Sequence, residues 1–319
     1  PDSVRAAAAN TAAALELTPV ADTLLALVQS SGAPWPRVAA LRALAALKDE
    51  RLAAAVQAAQ NDPQEELRRE ALKFQSRLKP STAIAQIERV LENGTMGEKQ
   101  SALGTLGSMN EKQADAILLA WLDKLQAGTV PAELQLDVLE AAGKRETPEF
   151  KNKIQSFEAT SKQDELGSFR VALHGGNSDD GRKIFFERAE AACVRCHTIA
   201  GQGGEGAEGG QVGPELTRLG ATKDRVYLLE SILFPNKHIA EGFQSVLVTT
   251  KDGISFAGLV KSETDSELVL NSPEDGIVTL KKAEITSREP GLSSMPEGMA
   301  ALLSRRDLRD LVEFLAQRK

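Results

Sequence analysis

Apolar residues recur at helical spacing along the first 145 residues or so of the chain. Val38, Leu41 and Leu44 mark one segment, Leu67, Ala71, Phe74 and Leu78 a second, and Leu103, Leu106 and Met109 a third. An Ala-Leu pair marks the same place in each, at 40–41, 71–72 and 102–103, a spacing of 31 residues. Turn residues precede each segment: Pro34-Trp35-Pro36, Asn61-Asp62-Pro63 and Asn93-Gly94. Leu136 and Leu139 open a fourth copy after the insert around Ala127-Gly128-Thr129-Val130-Pro131. Paired helices at such a period predict an α-solenoid over residues 1–145. An irregular helical bundle is the alternative, because no invariant motif marks the copies. Met96 and Met109 fall in this region and read as core gap-fillers.

Residues 146–177 are more charged. Phe150, Ile154, Phe157 and Leu166 predict a connecting helix or linker, which His174-Gly175-Gly176-Asn177 ends. Ser178 or Asp179 is the expected N-cap of the next helix, which carries Gly181, Ile184 and Phe185. Helix signals return at Lys223–Phe234 and stop at Pro235-Asn236. The period then drops to two. Val246–Thr250 and Ile254–Lys261 flank Lys251-Asp252-Gly253, and an Asp-Gly pair between apolar runs predicts a hairpin. Glu267–Leu270 and Ile277–Leu280, with Asp275-Gly276 between them, predict a second. Residues of about 243–288 therefore read as a small antiparallel β insertion. The chain closes on a helix. Ser304 and Asp307 form a capping-box pattern, and Leu308, Leu311, Val312 and Leu315 make one apolar stripe.

Composition narrows this little. The net charge of −7 argues against a nucleic-acid partner, and no apolar run approaches a transmembrane segment. The chain opens at Pro1 without a signal pattern, which suggests a processed chain or a piece of a longer polypeptide.

The chemistry concentrates in five residues, Cys193-Val194-Arg195-Cys196-His197. Cys-x-x-Cys-His is the attachment signature of a c-type haem. Two thiols three residues apart on one turn reach the two vinyl groups of one porphyrin, and the next residue offers an imidazole to the iron. The chain has only 2 cysteines, both in this motif, and 3 histidines. Zinc would need further ligands of a kind the sequence does not supply. A reactive dithiol lacks its usual βαβ setting. Among candidates for the sixth iron ligand, Met295 stands before Pro296, which biases it to an extended loop. Met299, expected to pack at the start of the last helix, His238, or an open position are the alternatives. His174 and His238 read more plainly as exposed or capping residues. Arg195 is expected to face solvent or pair with a propionate. The Gly-rich stretch Gly201–Gly213 lacks a phosphate-loop frame and reads as a flexible loop at the haem edge.

The helical repeats resemble HEAT repeats. Residues 178–319 resemble the haem-binding cytochrome c domain of the Planctomycetes–Verrucomicrobia type. The matching pieces run in order: Gly181-Arg182-Lys183-Ile184-Phe185, Cys193 to His197, Gly213-Pro214-Glu215-Leu216, and Leu228-Leu229-Glu230-Ser231-Ile232-Leu233-Phe234-Pro235. Thr249-Thr250-Lys251-Asp252-Gly253, Ser294-Met295-Pro296-Glu297-Gly298 and Asp310-Leu311-Val312-Glu313-Phe314-Leu315 complete them. The resemblance implies a mainly α chain: a HEAT-like α-solenoid followed by a cytochrome c fold with a small antiparallel β insertion. First and last helices of that fold would cross near Gly181 and Phe314. The resemblance also implies one covalent haem c on Cys193 and Cys196, with His197 as proximal and Met295 as distal ligand. The Pro214 carbonyl would accept a hydrogen bond from the His197 ring.

A His/Met haem has no open site for substrate and is suited to electron transfer. The expected function is a periplasmic or otherwise extracytoplasmic bacterial cytochrome. It would accept electrons from a dehydrogenase, separate or on the same longer polypeptide, and pass them to a downstream acceptor. It is a module of such an enzyme rather than an enzyme by itself. A haem enzyme or a gas or redox sensor with an open or labile distal site is the alternative, as is a helical-repeat interaction scaffold.

Overall fold

The computed structural model describes residues 1–160, 165–200, 202–203, 213–272 and 274–319. The chain is mainly helical, with one five-stranded antiparallel sheet. It divides into two compact units, Pro1–Lys162 and Gln163–Lys319.

Among the described residues, the first unit holds ten α-helices: α1 (Asp2–Ala14), α2 (Ala21–Gln29), α3 (Pro34–Ala46), α4 (Leu52–Ala59), α5 (Glu65–Leu78), α6 (Pro80–Asn93), α7 (Met96–Leu106), α8 (Lys112–Gln126), α9 (Ala132–Gly143) and α10 (Pro148–Thr160). Odd-numbered helices pack in chain order, α1 on α3, α3 on α5, α5 on α7 and α7 on α9. Even-numbered helices back them, α2 on α3, α4 on α5, α6 on α7 and α8 on α9. The Ala-Leu pairs sit at the centre of this stack, and Ala40, Ala71 and Ala102 are fully buried beside Leu41, Leu72 and Leu103. Alanine at those places lets helix backbones approach, and leucine fills the space beside them. Leu136 and Leu139 are buried in α9 in the same way.

Polar links repeat at nearly the same interval. Arg42 clamps Glu70 through two bonds of 2.8 and 3.0 Å, 28 residues on. Arg68 donates to Glu98 at 2.7 Å, and Thr95 to Glu65 at 2.7 Å, each pair 30 residues apart. Arg51 donates to Asp22 at 2.6 Å across 29 residues. Thr95 also closes a capping box with Glu98 at the start of α7. Arg145, after α9, donates to the carbonyls of Gly107 at 2.8 Å and Leu106 at 3.0 Å, and also to Met109 and Asp115. Its cation therefore sits at the negative end of α7. Met109 is buried, as expected, but Met96 is exposed, because it occupies the first turn of α7 and its side chain lies outside the packed face.

The residues expected to form a connector separate in the structure. Helix α10 packs on α8 and α9, and Phe150 is buried there. In the second unit, a 3-10 turn at Gly167–Ala172 buries Val171 and Ala172.

The second unit continues with α11 (Ser178–Glu187), a two-residue pair β1 (Thr198–Ile199) and β2 (Gln202–Gly203), α12 (Leu219–Thr222) and α13 (Arg225–Leu233). Strands β3 (Ser245–Thr250), β4 (Ser255–Glu263), β5 (Glu267–Ser272), β6 (Gly276–Lys281) and β7 (Ile285–Pro290) follow, then α14 (Met299–Leu302) and α15 (Arg305–Ala316). Asn177 is the N-cap of α11, in place of Ser178 or Asp179: its side chain accepts the N–H groups of Asp179 and Asp180 from an extended backbone.

Helix α11 crosses α15, and the crossing depends on a missing side chain. A Cβ on Gly181 would lie 2.0 Å from the Asp310 carbonyl oxygen and 2.7 Å from the Phe314 Cβ. Gly176 makes a similar approach to the Arg309 carbonyl. Phe185 and Phe314 pack with ring centroids 5.8 Å apart, and Asn177 donates its N–H to Asp310 at 2.8 Å. The stripe Leu308, Leu311, Val312 and Leu315 is buried, and the Ser304–Asp307 capping box is formed.

The sheet runs β6-β5-β4-β3-β7. Both expected hairpins are present, with Val248 opposite Phe256 and Leu270 opposite Val278. Strand β7 was not expected. It carries one aliphatic residue, Ile285, so it lacks an alternating pattern, yet it pairs along β3. Val246, Val248, Leu268, Leu270 and Leu280 form the buried face.

Candidate functional site

Ala192 introduces the motif in a left-handed conformation, φ 50°, and turns the chain into the short 3-10 segment Cys193–Arg195. The N–H groups of Cys196 and His197 both bond the Cys193 carbonyl, at 3.3 and 3.0 Å. The tight turn sets two thiols and an imidazole on consecutive positions. Both thiols are free and partly buried. Burial pushes the Cys193 thiol up to about 11, which keeps it protonated at neutral pH. Cys196 is raised for the same reason, with Arg195 opposing. Arg195 itself is exposed.

A second segment straps the turn. The Gly213 N–H bonds the Cys196 carbonyl at 3.2 Å, and the Leu216 N–H bonds the Thr198 carbonyl at 2.9 Å. Between them the Pro214 carbonyl faces His197 Nδ1 at 2.9 Å. Donation from Nδ1–H to that carbonyl leaves the lone pair on Nε2. Burial holds the imidazole below its ordinary pKa, against the pull of the Pro214 bond, and so favours the neutral ring. Gly213 lies flat against it: a Cβ there would meet Cε1 at 2.7 Å and Nδ1 at 2.9 Å. The strap thus fixes one ring orientation and one tautomer.

Met295 is partly buried. It packs, with Cys193 and Val194, against the core that contains Phe185, Leu216, Leu228 and Leu311. The other candidates named from the sequence are placed as follows. Met299 opens α14, not the last helix, and is buried in that core. His238 Nε2 meets Glu230 at 3.0 Å and its ring stacks on Tyr227 at 5.0 Å, so it is more than a loop surface residue. His174 is exposed. Most of the Gly201–Gly213 stretch, read as a haem-edge loop, lies outside the described residues.

No family model matches this chain, and no curated protein matches it. The site must be judged on its own residues. Among the described residues, no group of three or more His, Cys, Asp or Glu side chains could hold a metal ion unaided. Of the motif's two thiols and the loop's thioether, those of Cys193 and Met295 pack against one core, and His197 stands one residue after Cys196 with its Nδ1 held by Pro214.

Asn236 was read only as part of a helix stop. Its side chain accepts the Ser293 N–H at 2.7 Å and donates to Glu297. Pro-Asn after a helix signals a turn, but nothing local in sequence points to partners some 60 residues away. No described helix is long and apolar enough to cross a membrane.

Proposed function

We propose that this chain is an electron-transfer cytochrome c, with one haem attached to Cys193 and Cys196, and that its first unit is a HEAT-like solenoid. On this reading the second unit is a cytochrome c fold of the Planctomycetes–Verrucomicrobia type, working on the extracytoplasmic side of a bacterial membrane. A dehydrogenase supplies its electrons, and a downstream carrier removes them.

The observation that carries the reading is the pinned imidazole. Nδ1 is held by Pro214 and the ring lies against Gly213, one residue after a turn that carries both free thiols. The bond at Nδ1 leaves the Nε2 lone pair available to a ligand. These residues fit a haem: Cys193 and Cys196 would hold it covalently, and His197 Nε2 and the Met295 thioether would be offered to its iron. Bound there, the haem would supply reversible one-electron chemistry at iron, with its potential raised by the thioether. The chain's own part is to fix the His197 tautomer through Pro214 and to surround the site with the apolar core of α11 and α15.

The test is the visible spectrum of protein made with haem-maturation machinery, in the ferric and ferrous states and under carbon monoxide. A far-red sulfur-to-iron band, sharp low-spin ferrous bands and slow carbon monoxide binding are expected. Met295→Ala should abolish the far-red band and lower the potential. High-spin ferric bands with fast carbon monoxide binding in the unaltered protein would instead mean an open iron, and an enzyme or sensor.

A further inference from the structure

We infer that Asn236 is a positioning residue for Met295, and that its carboxamide holds the methionine loop by both shoulders. This rests on the reading of Met295 as an iron ligand.

The loop from Gly291 to Gly298 has little regular structure of its own. Its entrance is tied to β3, where the Gly291 N–H bonds the Ser245 carbonyl at 2.9 Å and the Ser245 hydroxyl bonds the Leu292 carbonyl. Its exit is Gly298, at φ 87°, after which Met299 enters the core. Met295 lies between these ties. Its N–H bonds the Ser293 hydroxyl at 3.2 Å, so Met295 follows wherever Ser293 is held.

Asn236 holds both sides. Its Oδ1 accepts the Ser293 N–H at 2.7 Å, two residues before Met295, and its Nδ2 donates to the Glu297 carboxylate, two residues after. One partner offers a proton and the other needs one. A carboxamide carries both an acceptor and a donor. Aspartate could serve Ser293 but would set two carboxylates against each other, and alanine reaches neither partner.

The anchor is itself held. Asn236 follows Pro235, which is buried, and the Lys237 N–H closes a turn on the Phe234 carbonyl at 2.9 Å. Lys237 and His238 both reach Glu230 of α13, at 2.8 and 3.0 Å. The carboxamide thus projects from the end of a helix in the core toward a loop that lacks a rigid frame. A thioether is a weak, neutral iron ligand, so its hold depends on how little the loop can stray.

The experiment uses the full chain carrying its haem. Imidazole titrates the ferric protein, carbon monoxide the ferrous, and the far-red band and thermal midpoint are recorded alongside. Asn236→Ala should raise imidazole affinity about fivefold, the equivalent of one net hydrogen bond, and weaken the far-red band. Asn236→Asp should fall between alanine and the unaltered protein. Glu297→Gln keeps an acceptor for Nδ2 and should stay close to the unaltered protein. Ser304→Ala is the control: it loosens the last helix without touching the loop and should leave imidazole affinity unchanged. Absence of a far-red band in the unaltered protein would remove the Met295 reading, and this inference with it. A normal band there, with unchanged imidazole affinity in both Asn236 variants, would overturn the role of Asn236 alone. So would an equal rise in Ser304→Ala, since the effect would then be general loosening. If Asn236→Ala does not fold, Asn236→Asp decides.

Discussion

In the first unit, Arg42 finds Glu70 across 28 residues and Arg68 finds Glu98 across 30. In the second, Asn177 finds Asp310 across 133. The two halves thus close their cores over very different lengths of chain. In the first, successive helices pack on one another in chain order, so each contact closes a short length of chain. The second depends on one crossing between its first and last long helices, with the motif, the strap and the whole sheet threaded between them. Distant contacts require a longer loop to close before they return anything. A lesion in the stack should therefore stay local, whereas a lesion at the crossing should loosen everything that lies between the two helices.

The largest expected effect tests the crossing. Gly181→Ala sets a methyl group 2.0 Å from a backbone oxygen that no side-chain rotation can move. A loss of about 3 kcal/mol is expected, with amide exchange accelerated through both α11 and α15. A loss below ~1 kcal/mol would mean that the crossing is not the organising contact.

Next is the stack. Arg145→Ala leaves the carbonyls at the end of α7 without their cation. The expected cost is about 2 kcal/mol in denaturant unfolding, with faster exchange confined to α7, α8 and α9. Acceleration that spreads to α1–α4 would erase the contrast drawn above.

The third expectation concerns pH. Burial pushes the Asp310 carboxyl up to about 6 from its ordinary 3.8, although the Asn177 N–H and two arginines favour the anion. The folded state therefore holds this proton more tightly than the unfolded state does. Stability from this source is full below pH 3.8, falls as the pH rises toward 6, and is lost above it. Asp310→Asn should lack that decline. Relative to the unaltered protein it should gain about 1.5 kcal/mol between pH 4 and 7, part of the full two-unit value being screened by solvent. Parallel stability curves for the two proteins would place the ionisation elsewhere.

The smallest effect compares like with like. Both halves carry a capping box, Thr95 with Glu98 and Ser304 with Asp307. Ser304→Ala should cost about 1 kcal/mol in thermal unfolding. Thr95→Ala should cost somewhat more, because Thr95 also donates to Glu65 at the start of α5. Equal losses would mean that the link between helix pairs adds nothing.

Most of the local elements were legible from periodicity. The Ala-Leu pairs mark buried positions in α3, α5 and α7, and the Asp-Gly turns mark both hairpins. Misses came where an element depends on distant partners. Strand β7 has one aliphatic residue and exists because β3 offers a free edge. Met96 has a core residue's chemistry but a surface position. The N-cap of α11 is Asn177, ahead of both Ser178 and Asp179, because its side chain accepts two N–H groups from an extended backbone.

At the candidate site, the Cys193–His197 motif is written in consecutive residues, since one turn must present both thiols and the imidazole, and turn geometry is local. The identity of Met295 as a candidate also follows from its loop, through Pro296. What holds these groups is not local. The approach of Gly213 to the His197 ring, the hydrogen bond at Nδ1, and the grip of Asn236 on both sides of Met295 join segments 16 to 61 residues apart. A sequence states which atoms can donate, accept or add. Only the folded chain decides which of them meet, because a hydrogen bond is set by distance and angle, and those are fixed by the packing of α11, α13 and α15 around a common core.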